Sequence, residues 1–378
     1  MGVDEAHEGS GPGDAPRTRE AWQHVRTMLD DLTRIVDADA ESELELMEGL
    51  RALARVTALC TETSLDADHE LPFFRELATP VRQVGAPNPF VTTHAASIDG
   101  RLRYRIRGRR GSVTALCFQI VAGRGLAPRR IAAYVTDHDL PVLPDGDFEI
   151  VLARQEPPPH QCQAAIWVAL PDDASAVVVS QYVADPIHES PAYFGIEPLD
   201  RPAPASLPHD HALARQLDEM TWSMARLSTL HRTVRPDLLA SPNRLEPIRA
   251  ADLGPGSGAS HDDLCLMGSF RLAPDDAFVI DTLPPVTRWW SVALENVWHE
   301  CFDVRTRHTA ASNATALRRP DGSVRFVVAA RDPGVPGTTW LDTGGRHRGF
   351  VTLRWLDHAE APPFAAQVVP LRAVALLD

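Results

Sequence analysis

From about residue 95 onward this chain is built of short runs in which apolar and polar residues alternate, each run ended by glycine or proline. The clearest run sets Leu102, Tyr104 and Ile106 against Arg101, Arg103, Arg105 and Arg107. A period of two puts alternate side chains on opposite faces of a strand, so one face is buried and the other wet. Further strands are expected at Val113–Val121, Arg130–Thr136, Phe148–Leu152, Ala164–Ala169 and Ala176–Tyr182. A second series follows at Leu264–Leu272, Phe278–Thr282, Trp289–Asn296, Phe302–Ala310, Ala314–Arg318, Val324–Ala330, Gly349–Trp355 and Ala365–Val374. Closely spaced short strands of this kind fold as antiparallel sandwiches or barrels, and about eight in the second series fit a jelly roll. The expected fold is mainly β with helical additions: jelly-roll-like antiparallel β-sandwiches behind an N-terminal helical pair.

The helical additions show a different period. Trp22, Val25, Met28, Leu29, Leu32, Ile35 and Val36 recur at helical spacing, and so do Leu46, Leu50, Leu53, Val56 and Leu59. A later stretch carries Leu213, Leu217, Met220, Met224, Leu227 and Leu230 on one helix face. The organisation that follows is a disordered tail over 1–17 and a helical segment over 18–80. An antiparallel β region over 86–200, a helix over 212–235 and a C-terminal sandwich over 260–378 complete it.

With a net charge of −14 the chain repels phosphate, so nucleic acid is excluded as a partner. No run approaches the ~18 apolar residues that span a bilayer, so no membrane association is expected. The N-terminus is acidic and rich in glycine and proline, unlike an export signal. Five scattered cysteines, Cys60, Cys117, Cys162, Cys265 and Cys301, lack metal-site spacing and read as reduced thiols of a cytoplasmic protein. The glycines at 254, 256 and 258 have no preceding strand and no following lysine, so they form no phosphate loop. No cofactor is implied, and no metal.

The segment DPGVPGTTWLDTGGRHRGFVTLRW, Asp332 to Trp355, follows FRLAPDDAFVIDTLPPVTRWWSVALENVW closely. In these motifs the chain resembles the DUF1214 family of unknown function, and APNPF…ASIDGRLRYRIRGRRG, Ala86 to Gly111, resembles its upstream part. The likeness runs over roughly residues 45–375. It implies a jelly-roll-like sandwich with flanking helices and no particular reaction. Thr339 stands where family members often carry Asn before Trp-Leu-Asp-Thr.

The same segment holds the candidate chemistry. Asp332 and Asp342 sit in glycine-containing turns, where each can act as acid or base or bond its own turn's amides. His347, between Arg346 and Arg348, is the candidate partner base, since like charge disfavours its protonation. Trp340 offers a flat wall for a sugar-like ring and Arg354 a clamp for an anion. Alternation in the neighbouring strands adds Trp289, Glu295, Asp303 and Arg305 to a polar groove. The function expected is metal-independent acid/base chemistry, a hydrolase or lyase, on a small polar or carbohydrate-like substrate. The alternative is a non-catalytic small-molecule or glycan-binding accessory protein.

Overall fold

The structure, a computed structural model, describes residues 16–124, 129–158, 165–200, 209–249, 264–358 and 360–377. Residues 1–15 of the expected 1–17 tail, Cys162 and the glycines at 254, 256 and 258 lie outside the described residues, while Arg17 already belongs to the first helix. The N-terminal pair forms: α1 spans Arg17–Asp39 and α2 spans Glu43–Ser64. Ser42 starts α2 because its hydroxyl accepts from the Glu45 amide, satisfying one free N–H of the first turn. The buried face of α1 is Ala21, Val25, Leu32 and Val36, so the indole of Trp22 points outward, contrary to its place in the apolar repeat.

Nine strands make the first sandwich. They are β1 (Arg75–Glu76), β2 (Val91–Ser97), β3 (Tyr104–Arg109), β4 (Ala115–Ala122), β5 (Arg130–Thr136), β6 (Asp147–Ala153), β7 (Ala165–Ala169), β8 (Ala174–Tyr182) and β9 (Tyr193–Pro198). One sheet has the order β1-β2-β8-β4-β5 and the other β7-β6-β3-β9. Phe118, Ile120, Val177 and Val179 of the first meet Tyr104, Ile106, Phe148 and Ile150 of the second in one core. Arginines 105, 107 and 109 of β3 face outward and pair with Glu149 and Asp147 on β6, as the alternation demands.

Three helices follow: α3 (Asp210–Ser228), α4 (Leu230–Thr233) and α5 (Asp237–Ala240). α3 packs on α1 and α2, with Leu217, Met220 and Met224 against Val25, Leu53 and Val56.

The second sandwich comprises β10 (Arg244–Arg249), β11 (Leu264–Arg271), β12 (Asp276–Thr282), β13 (Trp290–Glu295), β14 (Ala310–Ser312), β15 (Val324–Ala329), β16 (Thr338–Asp342), β17 (Arg348–Trp355) and β18 (Phe364–Pro370). Its sheets run β10-β11-β17-β13-β14 and β16-β15-β12-β18. Between them lies a core of Leu266, Phe270, Trp290, Val351, Leu353 and Trp355 against Phe278, Ile280, Phe326 and Val328. Two neighbouring pairs are parallel, β6 with β7 and β15 with β16, where uniform antiparallel pairing was expected. The chain between β15 and β16 is long enough to run back along β15 before pairing again, which permits the parallel register.

Two expected strands are not built. Over 302–309 the Asp303 carboxylate accepts from the Arg305 amide at 2.9 Å and grips its guanidinium, closing a turn that leaves only Ala310–Ser312 to pair. Residues 314–316 turn likewise, since Ser312 and Thr315 bond one another's groups.

Ion pairs tie α2 to the second sandwich. Glu45 meets Arg348, Glu48 meets Arg346, and the fully buried Glu300 takes Arg55 at 2.7 Å and Arg51 at 3.2 Å.

Candidate functional site

A cavity of about 900 Å³ lies between the helical layer and the first sandwich. Its floor is the outer face of sheet β1-β2-β8-β4-β5. Val91, Thr93, Ala95 and Ser97 of β2 reach it by strand alternation, with Ala176 and Val178 of β8 and Gln119 and Val121 of β4. Pairing registers set these side chains in rows, Ala95–Val178–Gln119 and Ser97–Ala176–Val121. The small residues in those rows leave the space that larger side chains would fill.

The opposite wall is α3. Arg215, Glu219, Trp222 and Arg226 are spaced four, three and four residues apart, so they share one helix face, and all four line the cavity. Leu217, Met220 and Met224 face away from it, into the helical core. The end of α2 adds Leu59 and Thr63, the segment 84–88 closes one side, and Arg354 of β17 enters from the second sandwich.

Several of the lining guanidiniums already have partners. Arg129 pairs with Glu219 at 2.6 Å and donates to the Ser175 hydroxyl at 3.1 Å. Arg124 donates to the Ile98 carbonyl, and Arg75 donates to the Asp66 carbonyl while covering the Phe73 ring. Arg226 differs. No hydrogen-bond or ion-pair partner reaches its guanidinium among the described residues. Arg226 is exposed, yet partial burial by the protein around it, and next the Arg129 charge, push its pKa below the usual guanidinium value, with Cys60 and Glu219 acting the other way. Burial pushes the nearby Cys60 thiol up to about 12. No carboxylate is paired with the Arg226 guanidinium among the described residues, so an anion entering the cavity would find its donors unengaged.

Behind the 84–88 segment is a buried polar cluster on the outer face of sheet β10-β11-β17-β13-β14. Asn88 donates to the Ser291 hydroxyl at 2.8 Å, and the Cys301 thiol donates to the Pro87 carbonyl. His299 Nδ1 lies 2.8 Å from the Glu295 carboxylate, its ring stacks on Phe350, and its φ is +57°. Burial first, then the Glu295 carboxylate, raises the Cys301 thiol well above its ordinary value.

The residues singled out from sequence fall in separate places. Arg354 lines the cavity, on the outer face of one sheet of the second sandwich. Trp340 packs on the outer face of the other sheet with Val279, Val327 and Val374, its indole N–H donating to the Ala329 carbonyl. The core of that sandwich separates the two. Asp342 holds Arg307 at 2.7 Å and accepts from the Gly344 amide. Asp332 is exposed and accepts from the Gly334 amide at 2.8 Å, with Gly334 at φ +65° as such a turn requires. His347 is exposed. Asp303 and Arg305 form a surface pair in which Arg305 lowers the Asp303 carboxyl to about 2. Trp289 is fully buried against Tyr182 between the sandwiches, and Glu295 serves His299. Trp340, Asp342, His347 and Arg354 therefore share no common hollow. The α3 residues Arg215, Glu219, Trp222 and Arg226 went unremarked in the sequence, although a tryptophan between charges on the face opposite a leucine-methionine stripe was a readable signal.

Residues 277–360 match the model of the DUF1214 family, described as a protein of unknown function, so the resemblance holds over that stretch. No curated protein matches the sequence. The crystal structure of an uncharacterised protein from Burkholderia cenocepacia is similar, with 28% identity and a TM-score of 0.86, over 94% of this chain and 98% of that one. The VPA0106 protein from Vibrio parahaemolyticus shares 10% identity at a TM-score of 0.47, over 90% of this chain and 99% of that one. Among the described residues no helix is long and apolar enough to cross a membrane.

Proposed function

We propose that this protein binds a small organic anion in the cavity under α3, with Arg226 as counter-ion. The observation that carries the reading is a guanidinium with no hydrogen-bond or ion-pair partner among the described residues, lining a cavity of about 900 Å³. That volume falls in the range of sites for drug-sized ligands. Trp222 beside Arg226 adds a flat apolar surface for the ligand body. The reading is that of a small-molecule-binding protein. It is favoured over acid/base turnover because Asp332, Asp342 and His347 bond their own turns or stand in solvent, away from the cavity.

The test is a thermal-shift screen of sodium salts of organic acids beside neutral analogues, on the native protein and on Arg226→Gln. A specific ligand raises the melting point by mass action, by about 2.7 kcal/mol of stability at a hundred times its Kd. Anions that stabilise the native protein and not the variant support the reading. Equal stabilisation of both, or a response to neutral analogues alone, defeats it.

A further inference from the structure

The walls around Arg226 say more about the anion than its charge. We infer that the ligand is an amphiphilic monocarboxylate, its head on Arg226 and its apolar body laid along the small-residue rows of β2, β8 and β4. This rests on the anion-binding reading above and names the class of ligand.

Three features carry it. The first is how the positive charge is distributed. Arg129 is paired with Glu219, and Arg124 and Arg75 keep their charge but already spend donors on backbone carbonyls, so Arg226 is the guanidinium in that part of the cavity whose donors are unengaged among the described residues. Arg215 lies eleven residues back on the same helix face, about 16 Å away at the rise of an α-helix, and Asp218 lines the wall one turn from it. A compact polyanion would need several free cations at one point. A single carboxylate needs one, and the planar guanidinium matches it with two parallel hydrogen bonds.

The second feature is the surface within reach of that head. Leu59, Val84, Leu227, Val91, Val121 and Val178 present hydrocarbon to the cavity. Burying the hydrocarbon chain of a ligand against them is favourable by area.

The third is size. The rows contain Ala95, Ala176 and Ser97, whose short side chains open a trough across the sheet. Ala176 stands at the centre of its row, between Ser97 and Val121, so a larger side chain there would fill part of the trough. Ala176 is thus the residue that sets ligand length.

The experiment is isothermal titration of the full chain with acetate, butanoate, octanoate and octanol, repeated on Ala176→Leu and Arg226→Gln. Octanoate should bind the native protein at least about tenfold tighter than butanoate, since each added methylene that is buried contributes. Ala176→Leu should weaken octanoate about tenfold and leave butanoate within about twofold, which also shows that the variant is folded. Arg226→Gln should weaken both acids alike. Acetate and octanoate binding equally to the native protein, or Ala176→Leu weakening butanoate as much as octanoate, would overturn the amphiphile inference and leave the anion site standing. Octanol binding as tightly as octanoate, or acids indifferent to Arg226→Gln, would remove the anion site itself.

Discussion

Glu300 is the sharpest test of how the helical layer is held to the second sandwich. Its side chain is 1% exposed and accepts from Arg55 at 2.7 Å, from Arg51 at 3.2 Å and from the Asn296 amide at 3.2 Å. Glu300→Gln keeps the shape, removes the charge and turns one acceptor into a donor aimed at a guanidinium. Breaking a fully buried ion pair costs about 3–5 kcal/mol. Here the arginine side chains are 25% and 49% exposed, so both regain part of their hydration once the carboxylate is gone. The expected loss is therefore about 2–3 kcal/mol, at or just below the bottom of that range. Urea unfolding followed by tryptophan fluorescence would show the midpoint fall with the slope unchanged. Arg51→Gln should cost under about 1 kcal/mol, because that partner is half in water. A double-mutant cycle of Glu300→Gln with Arg55→Gln should return a coupling of at least about 1 kcal/mol. A Glu300→Gln loss below about 0.5 kcal/mol would refute the view that this carboxylate clasps the two layers.

Three other outcomes follow from the structure. Arg101 holds the Asp99 carboxyl at about 2, below its ordinary 3.8; a depressed folded pKa stabilises above the ordinary value and is lost as pH falls toward 2, so acid unfolding of Asp99→Asn should be flatter than native below about pH 4. Gly268→Ala should lower the melting temperature by overpacking that costs about 1–3 kcal/mol or more, because the new Cβ would meet the Arg244 carbonyl of β10 at 2.0 Å; an unchanged melting point would mean that β10 is not held there. The Cys60 thiol, fully buried and raised to about 12, should resist iodoacetamide at pH 8 and react once urea unfolds the chain; rapid labelling of the folded protein at Cys60 would contradict its burial.

What was legible in the sequence follows from the range of the forces involved. Alternation at Arg101–Arg107 reports a local fact, which face of a strand meets water, and β3 forms there with Tyr104 and Ile106 inside. The helices were readable for the same reason. The face of α2 was not read correctly at Leu50, which is exposed, because the buried position nearby is Glu48. Its burial depends on Arg346, nearly three hundred residues away, and a hydropathy pattern carries no such partner. Phe302–Ala310 alternates well enough for a strand, but the Asp303 turn competes successfully for its backbone. The grouping of the candidate residues is limited in a related way. Asp332, Asp342 and His347 are neighbours in sequence and in turns, which says nothing about which layer covers them. The cavity instead draws on β2, β4, β8, α2, α3 and β17, and Arg354 was the single candidate among the nine to reach it.

The family match covers 277–360, and of the residues that shape the cavity only Arg354 falls inside it. If the cavity binds the proposed ligand, two proteins could share that signature to the letter and still accept different guests, because most of the cavity wall is built upstream of it. On that proposal, sorting relatives by what stands at the positions of Arg226 and Ala176 would group them by guest, where sorting by the shared stretch groups them only by ancestry.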